Sequence, residues 1–231
     1  MKFDTDIRGI FQLPLREYGR SVYGTALNYV PCSKECHVLV VAGIHGEEPE
    51  TTFLLSRALR AITRTLPHVA FVLCANPDGM MLGMRGNANG VDLNRNFPTG
   101  NWSAAPVYSR SVLEADRDTK LLPGVSAGSE PETESLVRLI RNLNPRSILS
   151  MHAPMACIDA SENTPLVKKC CETFCLPWLP DIGYPTPGSL GTWCKEQKSP
   201  ECVTLELPRL SLEALFDRYG QTFAEMLISL P

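Results

Sequence analysis

Short runs of apolar residues alternate along the chain with segments in which apolar residues recur at helical spacing. The first apolar run covers residues 37–42, and residues 49–62 follow it with an apolar helical face. Further strands are expected over 69–75, 148–151 and 202–207, and further helices over 129–144 and 212–230. Strands that alternate with helices are typical of an α/β fold with a largely parallel sheet.

Two local motifs predict where elements begin and end. The Asn-Pro-Asp-Gly sequence at 76–79 is typical of a turn, and a stretch rich in loop signals follows over 80–128. Ser129 and Glu132 have the spacing of a capping box, which predicts that the next helix begins at Ser129. Because no repeat or linker interrupts the pattern, we expect a single domain over residues 1–231.

Composition and charge exclude several classes of protein. Hydrophobic residues make up 44% of the 231 residues, and 22 basic against 25 acidic side chains give a net charge of −3. Nucleic-acid-binding proteins normally carry a basic excess, so no nucleic-acid partner is expected. Charges interrupt the N-terminal apolar stretches, and no apolar run approaches the roughly 20 residues of a membrane span. We therefore expect a cytoplasmic protein with no membrane partner.

Nine cysteines could indicate a disulfide framework or a metal cluster. Their odd number and the absence of paired CxxC motifs favour neither. Since a free cysteine packs as a small apolar residue, we expect reduced and mostly buried thiols.

Three of the predicted strands lead into residues with catalytic chemistry. His45 and Glu48 follow the first strand, His152 follows the third, and Glu206 lies in the last. In open α/β sheets, ligands bind beyond the carboxyl ends of the strands, so these groups can share one crevice. The HxxE pair alone is common by chance, but two histidines and a carboxylate match the protein ligands of a hydrolytic zinc site. Glu206, on an apolar strand that would raise its pKa, suits a general base.

Further motifs in the chain resemble those of a known family. An NPDG motif at 76–79, an arginine at 85 and GVDLNRNF at 90–97 lie between the HxxE pair and the SMH motif. In content and order the motifs resemble the zinc carboxypeptidases of the M14 type, over roughly residues 38–208. The resemblance implies a three-layer α/β fold with a mixed, largely parallel central sheet flanked by helices. It also implies one catalytic domain with one zinc ion per chain.

The resemblance assigns a role to each matched residue. His45, Glu48 and His152 would be the zinc ligands, and Glu206 the general base and acid. Arg85 matches the arginine that stabilises the oxyanion of the tetrahedral intermediate.

Other matched residues would bind substrate or orient a ligand. Asn94 and Arg95 match the pair that holds the terminal carboxylate of the substrate. Asp92 matches the aspartate that hydrogen-bonds a zinc histidine. Glu47 matches no role, and we expect a solvated glutamate at a helix start.

The chain departs from the digestive members of the family in one loop. Those enzymes carry a tyrosine where this sequence reads Thr-Trp-Cys-Lys at 192–195. Tyr184 is the candidate to supply the missing phenol, and the loop over 184–193, rich in proline and glycine, is expected to shape the pocket.

The motif details within the family indicate a substrate. RGNANGVDLNRNFP, the ACI sequence after His152 and YPTPGSLGTW resemble the members that cleave the γ-D-glutamyl-meso-diaminopimelate bond of murein peptides. We therefore expect an amidase for the free tripeptide L-Ala-γ-D-Glu-meso-diaminopimelate, acting in peptidoglycan recycling and cell-wall degradation. Asp159 and Glu162 are candidates to bind the second amine and carboxylate of diaminopimelate.

Two other functions stay open at this point. N-acyl amino acid deacylases of the succinylglutamate desuccinylase or aspartoacylase type share the zinc pattern, although they usually carry a C-terminal β-rich region for which this sequence leaves little room after Glu206. A non-catalytic binder of wall peptides could keep the same fold. The oligomeric state is open as well, and a homodimer is compatible with the sequence.

Overall fold

The computed structural model describes residues 11–111 and 117–231. Within these ranges the strands are β1 (Arg16–Arg20), β2 (Ala26–Tyr29), β3 (Val38–Val41), β4 (Val69–Val72), β5 (Val107–Ser111), β6 (Arg117–Leu121), β7 (Ser147–His152), β8 (Met155–Asp159), β9 (Trp178–Leu179) and β10 (Glu201–Pro208). The helices are α1 (Pro49–Arg60), α2 (Pro77–Leu82), α3 (Pro131–Leu143), α4 (Pro165–Phe174), α5 (Leu190–Gln197) and α6 (Leu212–Ser229), with a short 3-10 helix at Leu93–Arg95. None of these helices combines the length and the apolar composition needed to cross a membrane.

Six strands form the central sheet, in the order β4-β3-β7-β10-β8-β9. The pairs β4–β3, β3–β7, β7–β10 and β8–β9 are parallel, whereas β10 and β8 are antiparallel. Two antiparallel pairs, β1 with β2 and β5 with β6, lie outside this sheet. The central sheet is therefore mixed and largely parallel.

Helices cover both faces of the central sheet. In β3, Val38 and Val40 join an apolar core with side chains of α1, α4 and α6, while Leu39 and Val41 join a second core with α3 and α5. Burial on both faces explains why β3 and β4 are apolar without alternation. The predicted three-layer fold is confirmed, and the assignment of one domain to residues 1–231 stays a prediction.

Strand β10 differs from its neighbours because its residues alternate in burial. Val203, Leu205 and Leu207 are buried in the core with α1, α4 and α6, whereas Thr204 and Glu206 are half-buried on the opposite face. Residues two apart in a strand share a face, so Thr204 and Glu206 lie on the less buried face of β10. That face contributes Glu206 to the candidate site.

The predicted turn at 76–79 is wrong, since these residues begin helix α2. Asn76 is the N-cap residue, its Oδ1 accepts a hydrogen bond from the backbone N of Gly79 at 2.9 Å, and Pro77 occupies the first turn. Asparagine followed by proline favours a helix start as well as a turn, so the local sequence was ambiguous.

The predicted capping box at the start of α3 is also wrong. The helix begins at Pro131 with Glu130 as its N-cap residue, and no side chain caps it. The Glu132 carboxylate instead accepts hydrogen bonds from the backbone N of Val22 and from Asn87 Nδ2, both at 3.0 Å. Contacts with distant segments therefore replace the local cap.

The segment 80–128 is not a loop throughout. It contains the end of α2, the 3-10 helix, β5 and β6, while residues 112–116 lie outside the described residues. The predicted loop over 184–193 becomes helix α5 at Leu190, and the predicted strand over 69–75 ends at Val72. Strands β1, β2, β8 and β9 and helix α5 are short and were not predicted. Helix α4 was also missed, although its buried apolar residues recur at helical spacing.

All nine cysteines have free thiols. Four are buried, four are partly buried, and only Cys175 is exposed. This distribution agrees with the expectation that the cysteines pack as small apolar side chains.

Candidate active site

Three side chains meet at the carboxyl ends of β3 and β7. His45 follows β3, Glu48 precedes α1, and His152 is the last residue of β7. All three are buried, and one ligand atom from each lies within 4.8 Å of the others. Because β3 and β7 are adjacent parallel strands, their carboxyl ends lie at the same edge of the sheet. The sheet thus brings together the three residues that the sequence analysis proposed as metal ligands.

The two histidines direct their Nδ1 atoms toward each other and toward Glu48. His45 Nδ1 lies 2.7 Å from Glu48 Oε1 and 3.1 Å from His152 Nδ1, and His152 Nδ1 lies 3.2 Å from Glu48 Oε2. On the outer sides of the rings, His45 Nε2 contacts Asp92 Oδ1 at 3.2 Å and His152 Nε2 contacts Ser150 Oγ at 3.0 Å. Such outer contacts orient the rings of metal-binding histidines.

Two inward nitrogens and one carboxylate form a donor set that suits a divalent metal ion such as Zn²⁺. Among the described residues, no other group of three or more histidine, cysteine, aspartate or glutamate side chains meets the same distance condition. The site could therefore hold one metal ion.

The charges around His45 favour a cation in the cluster. Burial and the Arg85 guanidinium lower the pKa of His45, but the carboxylates of Glu48 and Asp92 outweigh both and raise this pKa to about 9. Burial opposes ionisation of Glu48, yet His45 and His152 bring its pKa far below the usual range. The pKa of Asp92 is also well below its usual range, because His45 and Arg85 outweigh burial. A metal ion would replace the proton that His45 otherwise retains.

Arg85 lies beside the cluster, and three carboxylates hold its guanidinium. Nε donates to Asp92 Oδ2 at 3.0 Å, while Nη1 donates to Glu47 Oε1 at 3.2 Å and to Glu48 Oε1 at 3.3 Å. Glu47 is exposed just before α1, as expected, but its carboxylate also forms an ion pair with Arg85, which the sequence did not indicate. Nη2 has no partner among the described residues and can donate to a ligand.

The 3-10 helix presents Asn94 and Arg95. Asn94 Oδ1 accepts a hydrogen bond from the backbone N of Leu190 at 2.9 Å, which leaves its amide nitrogen for a ligand. Arg95 is only 8% exposed, and its Nη1 donates to the backbone O of Asn94 at 2.7 Å. Burial lowers the pKa of Arg95 although Asp92 opposes this effect. Since Arg95 makes no ion pair within the described ranges, this buried cation favours an anionic ligand.

Glu206 faces the cluster from β10. It lies in register with His152 of the neighbouring strand, and its Oε2 accepts a long hydrogen bond of 3.4 Å from the backbone N of Met155. Burial raises the pKa of Glu206, as the sequence predicted; His152 opposes this effect and Glu48 adds to it. The carboxylate therefore lies beside the cluster with a raised affinity for a proton.

Tyr184 lies in the loop before α5 and is about half exposed, at 49%. Its hydroxyl donates to Met155 Sδ at 3.7 Å. Burial and Glu206 raise the pKa of Tyr184, whereas Arg95 lowers it. These electrostatic interactions indicate that the phenol lies near both Glu206 and Arg95.

The two acids proposed for diaminopimelate occupy different environments. Asp159 ends β8, is partly buried and interacts electrostatically with Glu206. Glu162 is exposed in the turn before α4, and in the described part of the chain we find no interaction between its carboxylate and the site.

Sequence reasoning missed the residues that orient the site from outside. Ser150 contacts His152 from two positions earlier in β7, and Glu47 contacts Arg85 from a different segment. The strand alternation in SMH could have indicated Ser150, because residues two apart share a face. No local signal links Glu47 to Arg85.

Comparison with known proteins extends the likeness to the whole fold. Residues 15–158 match the family described as zinc carboxypeptidase, peptidase M14. The chain is 42% identical over 224 residues to murein peptide amidase A of Escherichia coli strain K12, covering 95% of this chain and 92% of that protein. The crystal structure of murein-tripeptide amidase from Escherichia coli O157 matches with a TM-score of 0.92 at 39% identity, over 99% of this chain and 98% of that chain. Carboxypeptidase A from Helicoverpa armigera shares the fold, with a TM-score of 0.66 at 20% identity over 94% of this chain and 67% of that chain.

Proposed function

The chain belongs to the zinc carboxypeptidase family, and we propose that it is a zinc-dependent amidase that hydrolyses the γ-D-glutamyl-meso-diaminopimelate bond of free murein tripeptide. Members of this family hydrolyse peptide bonds. The main support is the buried cluster of His45, Glu48 and His152 in a chain that resembles a murein-tripeptide amidase over nearly its full length.

We assign His45, Glu48 and His152 as the ligands of one zinc ion per chain. The donor set fits zinc because it offers two nitrogens and one carboxylate that are buried and directed inward. When bound, zinc supplies Lewis-acid activation of the scissile carbonyl and of water. Asp92 orients His45 through its Nε2 atom.

Glu206 acts as the general base and then as the general acid. Its carboxylate takes a proton from the attacking water and gives that proton to the nitrogen of the leaving amine. The raised pKa suits this exchange, because a carboxyl group of ordinary acidity would hold the proton too weakly to pass it on.

Arg85 stabilises the negative charge that develops on the carbonyl oxygen. Asp92 and Glu47 hold Nε and Nη1, so the position of Nη2 is set before the substrate binds. A donor oriented in advance stabilises a transition state without the cost of reorganisation.

Asn94 and Arg95 bind the terminal carboxylate of the leaving residue. The carboxylate would provide the anion that the buried Arg95 lacks, with a planar guanidinium suited to bidentate contacts. Tyr184, beside Arg95 and Glu206, would contact the same residue of the substrate.

We infer that the reaction takes place in the cytoplasm as part of peptidoglycan recycling. The nine free thiols support a reducing compartment. The partner is then a small peptide, with no nucleic acid or membrane involved, and a homodimer stays a prediction.

The test is an assay of L-Ala-γ-D-Glu-meso-diaminopimelate hydrolysis. The released diaminopimelate is quantified, and bound zinc is measured in the same samples. We expect about one zinc per chain, loss of activity on chelation, and recovery when zinc is returned. An active metal-free protein would contradict the mechanism. Hydrolysis of N-acyl amino acids in place of the tripeptide would favour a deacylase, and zinc-independent binding of the tripeptide without turnover would favour a binding protein.

A further inference from the structure

Asp159 lies on the same face of the sheet as Glu206. In the antiparallel pairing of β8 with β10, Glu206 is opposite Cys157 and Thr204 is opposite Asp159. Residues directly opposite one another share a face, as do residues two apart in one strand. Asp159 therefore lies two residues along β8 from Cys157, the residue opposite Glu206. Two residues span roughly 7 Å along a strand.

Groups of opposite charge act on the Tyr184 side chain, which lies in the loop before α5. The Glu206 and Asp159 carboxylates raise the pKa of Tyr184, whereas the guanidinium groups of Arg95 and Arg85 lower it. Arg95 provides the positive charge near the 3-10 helix, and Asp159 provides negative charge at the end of β8. A ligand bound beside Tyr184 would meet both the Arg95 cation and the Asp159 carboxylate.

The Asp159 carboxylate has no cationic partner in the described part of the protein. Burial raises the pKa of Asp159, and the carboxylates of Glu206 and Asp181 raise it further, whereas His152 lowers it. No hydrogen bond or ion pair compensates this carboxylate among the described residues. A positively charged ligand group would relieve both the desolvation and the repulsion.

We infer that Asp159 determines specificity by binding the distal ammonium group of the leaving diaminopimelate, an inference that rests on the proposed function. The leaving residue would place its α-carboxylate at Arg95 and its amide nitrogen at Glu206. The side chain of the leaving residue would then start between Arg95 and Glu206. Asp159 lies on the same face of the sheet as Glu206, where this side chain would extend. Asp181 adds negative charge at the same end, while Glu162 is exposed and takes no part.

Two tripeptides that differ only in the distal amine test this inference. One ends in meso-diaminopimelate, and the other ends in 2-aminopimelate, which keeps the distal carboxylate and the chain length. In Asp159→Asn, kcat/KM for the diaminopimelate peptide should fall about 30-fold, the order expected when one partner of a partly buried charge pair is lost. Hydrolysis of the 2-aminopimelate peptide should change less than threefold. Glu162→Gln is the matched control and should behave like the wild type on both peptides.

Zinc content and unfolding temperature are measured for every variant. If Asp159→Asn does not fold, the ratio of the two kcat/KM values is measured for Asp159→Ser, whose smaller side chain also lacks the charge. If the ratio of kcat/KM for the two peptides stayed at the wild-type value, or if kcat/KM fell equally for both at normal zinc content, the inference would be overturned. The proposed function would still stand. A wild-type protein that hydrolyses neither peptide would overturn the proposed function instead.

Discussion

The charged side chains of the cleft differ in whether the protein itself supplies their partners. Asp92 and Arg85 pair with each other and with neighbouring groups, so their charges are compensated within the fold. Arg95 and Asp159 make no ion pair among the described residues. Since a partly buried charge without a partner is costly, such groups are the ones that a ligand of opposite charge would bind.

Glu206→Gln should separate the general base from the metal ligands. The amide cannot accept the proton of the attacking water, so kcat should fall by about a thousandfold, within the range for a lost general base. Zinc content should stay at the wild-type level. The matched control is Glu201→Gln in the same strand, because Glu201 bonds Ser147 and Thr164 instead of the site. A parallel loss of zinc and activity in Glu206→Gln would mean that Glu206 is a ligand.

The pH dependence of turnover should reflect the burial of Glu206. A general base works only when ionised, and burial raises its pKa above the usual 4.5. As the pH falls, kcat/KM should therefore decline through a midpoint above 4.5. The measurement is a pH profile of kcat/KM with zinc content checked at each pH. A midpoint at or below 4.5 at full zinc occupancy would contradict this assignment.

Between elements, a buried carboxylate connects α2 to the turn that joins β1 and β2. Asp78 accepts hydrogen bonds from Ser21 Oγ and the backbone N of Tyr23, both at 2.8 Å, and from Thr25 Oγ1 at 3.0 Å. These donors occupy both carboxylate oxygens. Asp78 therefore anchors the β1–β2 pair to the segment that leads toward Arg85.

Asp78→Asn should lower the free energy of unfolding by about 2–3 kcal/mol. One carboxylate oxygen becomes an amide that donates, which leaves at least one buried donor without an acceptor. Urea unfolding measures the change. Asp217→Asn on the exposed side of α6 is the control and should stay within about 0.5 kcal/mol of the wild type. Equal stability of the two variants would show that this anchor contributes little.

The fully buried strands and the longer helices were predicted more accurately than the partly exposed strands. β3 and α1 were found because their apolar residues fill both strand faces or one helical stripe. α2 and the start of α3 were misassigned, since Asn76 and Glu132 suit two local structures, and both also bond to distant segments, Asn76 to Ile44 and Glu132 to Val22. Local pattern is a weak guide wherever tertiary hydrogen bonds compete with it.

On the scale of the molecule, the three candidate ligands and the candidate base come from separate parts of the chain. His45 and Glu48 come from the segment between β3 and α1, His152 ends β7, and Glu206 lies in β10. These three strands are neighbours in the central sheet. A metal ion held by the cluster would therefore link distant segments that must be folded for it to bind.

Removal of the metal should consequently destabilise the whole protein. An ion that binds only the folded state adds about 4 kcal/mol to the free energy of unfolding when its free concentration is a thousand times its dissociation constant. Chelation should thus lower the unfolding temperature, and returned zinc should restore it. His152→Ala, which lacks one ligand, should respond little to the chelator. If chelation left the unfolding temperature of the wild type unchanged, the protein would not contain a metal ion that links these segments.

The sequence by itself determined the layered α/β fold and the residue types of the site. Buried strands must be apolar, and a hydrolytic zinc site needs histidine and carboxylate ligands, which here follow those strands. Both requirements leave local signals in the sequence, such as His45, Glu48 and His152. Only the tertiary structure decided that Glu47 holds Arg85 and that Asp159 shares a face with Glu206. Such pairings depend on strand order and register, which bring together residues far apart in the chain. They therefore leave no pattern in the neighbouring sequence.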